Sequence, residues 1–110
     1  ESKINNRFFA DTGELRLAVQ TVGDTPIAAS TEATVRVTPP GSKAKVLNVK
    51  VGQPTPKTSG LGFTHEVTLD NFRKRFPSVP VDAPITDYLV EAFLPKDLGG
   101  DFYSGKVRDA

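Results

Sequence analysis

Hydrophobic and polar residues alternate with a period of two along most of this chain, and no stretch carries the stripe of an amphipathic helix. From Glu14 to Thr21, Leu15, Leu17 and Val19 fall on one side, with Glu14, Arg16, Ala18 and Gln20 on the other. This is the pattern of a strand with one buried face. Ala33, Val35 and Val37 repeat it until Pro39-Pro40-Gly41, where neither proline can donate to a ladder. Lys45 to Val51 groups Leu47, Val49 and Val51; Phe63 to Leu69 groups Phe63, His65, Val67 and Leu69; Thr86 to Leu94 groups Tyr88, Val90, Ala92 and Leu94. Phe102 to Arg108 predicts a last strand. Asp70 to Phe76 predicts one or two helical turns, with Asp70 as N-cap and Phe72 meeting Phe76 at i, i+4. Gln53 to Gly60 is an exposed loop by composition.

These elements predict an all-β domain: a single antiparallel two-sheet β-sandwich of about seven strands. The sandwich is expected over residues 13–110, with 1–12 as an N-terminal extension or linker. Its expected core is Leu15, Leu17, Val19, Val35, Val37, Val67, Leu69, Tyr88, Val90 and Ala92. A chain of 110 residues holds one such core. It begins at Glu1 and not at Met, and is expected to be a module cut from a longer protein.

Two stretches carry a resemblance. Gly13-Glu14-Leu15-Arg16-Leu17-Ala18-Val19, Pro26-Ile27 and Ala33-Thr34-Val35-Arg36-Val37 together resemble the opening of prealbumin-like sandwiches, the carboxypeptidase regulatory-like and Cna-B-like group. Tyr88-Leu89-Val90-Glu91-Ala92-Phe93-Leu94-Pro95 is similar to that group's late strand. Ala83 to Val90 also resembles the "P-x-T-x-Y-x-V" strand of fibronectin type III domains. Close Cna-B kinship would imply a lysine-to-asparagine isopeptide bond beside an acid such as Glu91. Val19 stands where the lysine belongs and the last strand has no asparagine, so the resemblance implies fold only, a prealbumin-like or immunoglobulin-like sandwich.

Composition narrows the chemistry. With no Cys and one His, disulfides, thiolate zinc sites and multi-histidine metal centres are excluded. His65, among apolar neighbours and with no serine in a nucleophile elbow, is expected to be packed and not catalytic. Gly60-Leu61-Gly62-Phe63 reproduces the "GLGF" carboxylate loop of PDZ domains, but no groove-wall helix follows, so it is expected to be a glycine turn feeding a strand. Asp97 and Asp101, with Asp82, Asp87, Asp11 and Asp24, lack the graded calcium-loop spacing and are expected to be solvated turn residues. No cofactor, metal or catalytic set is expected, and no enzyme.

A net charge of +1 gives no global pull towards nucleic acid, and no apolar run reaches the ~18 residues of a membrane span. Arg73-Lys74-Arg75, between Phe72 and Phe76, is the one dense basic cluster. With Phe102 and Tyr103 it forms the candidate interaction surface. The expected role is a structural or protein-interaction module of a larger assembly outside the cell, on its surface or on a virion, with neighbouring modules as partners. The alternative is a glycan- or anionic-polymer-binding module. Association is expected at the Phe102 to Val107 edge, and the edge bearing Lys43, Lys45 and Lys50 is expected to be protected.

Overall fold

The computed structural model describes the backbone of residues 2–57, 60–98 and 102–109 and the side chains of 4–57, 60–97 and 105–109. The described residues form eight strands in two four-stranded antiparallel sheets. The strands are β1 (Ser2–Phe9), β2 (Glu14–Thr21), β3 (Glu32–Thr38), β4 (Lys45–Lys50), β5 (Pro54–Pro56), β6 (Phe63–Leu69), β7 (Leu89–Phe93) and β8 (Phe102–Lys106). One sheet runs β1-β2-β6-β5 and the other β4-β3-β7-β8. The chain forms hairpins within a sheet and crosses between sheets after β2, β4 and β6.

Period-two alternation becomes the core directly. All ten residues of the expected core are at most 6% exposed. Ile4, Phe8, Ile27, Phe72, Phe76, Ile85 and Val107 join them. Phe72 meets Phe76 with ring centroids 5.1 Å apart and Tyr88 at 5.2 Å, an aromatic cluster that closes one end of the sandwich.

Four local expectations change. Residues 1–12, expected as an extension or linker, supply β1, paired with β2 along eight positions from Ser2–Thr21 to Phe9–Glu14. Asn6 points inward there, which interrupts the apolar signal. The 53–60 loop contains β5, an edge strand paired with β6 through Thr55 opposite Thr64. Its two prolines are tolerated because an edge strand needs donors on one side only. The strand expected from Thr86 starts at Leu89, after a 3₁₀ turn over Ile85–Asp87. The helical turn α1 (Phe72–Arg75) is capped by Asn71 and not Asp70. Asn71 takes the left-handed conformation that Asn tolerates, and the Phe72 N–H donates to the Gly13 carbonyl oxygen at 3.0 Å.

Candidate functional site

The strand directions put the connections into two groups. The β1–β2 turn, the β3–β4 turn, α1 and the rest of the β6–β7 connection share one end; the β2–β3, β5–β6 and β7–β8 connections share the other. Ser2 lies at the second end, opposite Thr21. Asp109 lies at the first end, beside Phe8 in a parallel bridge.

A seam between β1 and the C-terminal segment 107–109 joins the two sheets along one side. The Phe8 N–H donates to the Arg108 carbonyl oxygen at 2.7 Å. Asn6 bonds on both faces of its amide: Nδ2 donates to the Lys106 carbonyl oxygen at 3.4 Å, and Oδ1 accepts the Arg108 N–H at 2.9 Å. Buried at 3% exposure, Asn6 thus substitutes a side-chain amide for the missing backbone ladder. Val107 is buried beneath the seam. Within the expected docking edge, Phe102 to Val107, β1 engages the Lys106 carbonyl oxygen through Asn6, and it bonds Arg108 just beyond that edge. The side chains of Phe102 and Tyr103 lie outside the described residues.

The seam also aligns charge. Arg7 faces Arg16 across the β1–β2 pair, and the parallel bridge one residue on places Arg108 on the other side of Arg7. Three arginines so lie abreast on the outer face of the β1-β2-β6-β5 sheet. They share a cleft of about 440 Å³ with Asn5, Ala18 and Glu66. Arg16 pairs with Glu14 at 3.0 Å and stacks over the Phe9 ring at 4.1 Å. The sequence does not mark this row, because outward arginines at 7 and 16 carry no signal until register places them opposite one another. Arg108 joins only through a contact spanning nearly the whole chain.

Other candidates are spent on the fold. His65 is fully buried; its Nε2 accepts the Ile27 N–H at 3.2 Å, and Nδ1 donates to the Gly52 carbonyl oxygen at 2.8 Å. This histidine pins the β2–β3 and β4–β5 connections onto β6. The Tyr88 hydroxyl donates to the Phe76 carbonyl oxygen at 2.5 Å. In the basic cluster, Arg73 turns inward: its guanidinium donates to the Ala83 carbonyl oxygen at 2.9 Å and lies over the Tyr88 ring. Lys74 and Arg75 are exposed. Arg75 lies over the Phe76 ring, while Arg73 and Lys74 both line the cleft beside α1.

Gly60 and Gly62 form the β5–β6 turn. A Cβ on Gly62 would overlap the Thr21 carbonyl oxygen, so this glycine is demanded by close backbone approach. Glu91 faces outward and pairs bidentately with Arg36 across β3–β7, both bonds at 2.7 Å. These bonds, from the Arg36 side chain, hold the Glu91 carboxyl below its ordinary 4.5. Asp101 lies outside the described residues; Asp11, Asp82 and Asp87 lie at one end and Asp24 and Asp97 at the other. Among the described residues no group of three His, Asp or Glu is placed to hold a metal ion, and no helix is long and apolar enough to cross a membrane.

A second cleft, of about 530 Å³, lies where α1, the β1–β2 turn and Pro84–Thr86 meet. Phe8 and Phe72 line it, with Lys74 and Asp109 at its margin. The chain matches no protein-family model, no curated protein and no solved structure.

Proposed function

We propose that the chain is a non-catalytic β-sandwich module that spaces and joins neighbouring parts of a larger assembly at a cell or virion surface. The carrying observation is the path of the chain: β1 starts at one end, segment 107–109 leaves at the other, and the two run parallel and bonded. Tension between neighbours then pulls β1 and the C-terminal segment in opposite directions along their own axes. In that geometry the seam bonds and the β1–β2 ladder share the load; a strand peeled from one end would give up its bonds singly.

Two further features support the reading. The strand order is, in immunoglobulin lettering, A-B-E-D against C′-C-F-G, and Tyr88 occupies the corner before the seventh strand with its hydroxyl turned back to the chain. Both belong to the immunoglobulin-like and fibronectin-like side of the sequence resemblance. His65, Tyr88 and Asn6 all bond to backbone groups, which is the chemistry of a scaffold.

Single-molecule pulling tests it. The domain held through residues 2 and 109 is expected to unfold at clearly higher force than when held through Asp11 and Lys43, two turn positions at one end. Asn6→Ala is expected to lower the first force, since forced unfolding reads the unfolding rate. Equal forces in the two directions would overturn the load-bearing reading.

A further inference from the structure

The row Arg16–Arg7–Arg108 sets three positive charges on adjacent chain segments, about 4.8 Å apart from one strand to the next. Like charges directly opposite one another on a sheet are destabilising, and a face that keeps them gains from a counter-anion. Only Arg16 has an acidic partner among the described residues; Arg7 and Arg108 have none. The cleft they share has the volume of a small-ligand site. Ala18 also lines it, a side chain short enough to leave room between the long ones around it.

We propose that this face binds an acidic sugar, with the carboxylate or sulfate group against the three guanidinium groups and the hydroxyls against Asn5 and Glu66. Guanidinium groups match planar or tetrahedral oxyanions with paired N–H donors. Glu66 decides between an acidic sugar and an acidic peptide. It lies opposite Ala18, in the same cleft, and has no cationic partner among the described residues. A run of Asp and Glu side chains would meet repulsion there, whereas a sugar hydroxyl donates to the Glu66 carboxylate. Asn5 offers both a donor and an acceptor to the next hydroxyl.

The test titrates the protein with a hexuronate oligosaccharide, a sulfated oligosaccharide, a neutral glucose oligosaccharide and poly-glutamate, at low and at physiological salt. Binding of the uronate, the sulfated sugar or both, weakening with salt, is expected, and which of them binds names the oxyanion. Arg7→Gln with Arg108→Gln is expected to weaken it about tenfold or more. Because neither side chain pairs with a described acidic residue and their removal relieves like-charge repulsion, the double variant should melt at or above the wild-type temperature, so lost binding is not lost folding. Lys74→Gln with Arg75→Gln should leave binding unchanged. Failure of both acidic sugars to bind, binding unchanged in the Arg7/Arg108 variant, equal loss in the Lys74/Arg75 variant, or poly-glutamate binding as tightly as the sugars would each overturn the proposal.

Discussion

His65 shows how one polar side chain in an apolar interior can organise two loops. Its ring accepts from Ile27 and donates to Gly52, so both connections are fixed against β6 without a ladder of their own. His65→Leu keeps the volume near constant but leaves a buried N–H and a carbonyl oxygen without partners. Unsatisfied groups of this kind cost about 1–3 kcal/mol each, and a loss of about 2–4 kcal/mol is expected. Urea titration should show the midpoint falling with the slope unchanged. Position 65 was legible as a packed histidine from its place among Phe63, Val67 and Leu69. Its partners were not, because both are backbone groups of distant loops. Asn6 was harder still: inward on β1, it breaks the alternation that marks a strand, and its partners lie about 100 residues away in sequence.

Among the elements, β2, β3 and β6 could be read directly because each has one face in the core and one in solvent. β5 escaped notice because Pro54 and Pro56 carry the composition of a loop, and only pairing with β6 makes a strand of them. Those prolines and the lysines of β4 blunt the two sheet edges on one side of the sandwich, while the β1 seam engages the other. Between β3 and β7, the Arg36–Glu91 pair makes one cross-strand contact pH-dependent. Glu91 is held below its ordinary 4.5 chiefly by its hydrogen bonds from Arg36, and is stabilised in its charged form. The folded state therefore binds this proton less readily than the unfolded state, and the contribution is complete above pH 4.5 and lost as pH falls through the depressed value. Melting curves of wild type and Glu91→Gln should differ by a constant amount at neutral pH and converge in acid. A gap that widens below pH 4.5 would contradict the assignment.

At the scale of the whole molecule, many domains have neighbouring termini and so tolerate circular permutation. Here the chain's path works against it. Residue 109 bonds beside Phe8, and Ser2 is six residues further along the same strand, which is about 20 Å at the rise of an extended chain. A linker rejoining them must run back along the outside of the seam. It needs about 6 residues fully stretched and about 13 if flexible and relaxed. Permutants cut in the exposed β3–β4 turn and closed by a three-residue linker should lose the Asn6 bonds and melt well below wild type. Those closed by about 15 flexible residues should recover most of the difference, and equal melting at both lengths would show that the ends lie closer than the seam places them. For anyone inserting this domain into another protein the consequence is practical: it behaves as a rod between two attachment points, so a host loop receiving it must have ends already held about 20 Å apart.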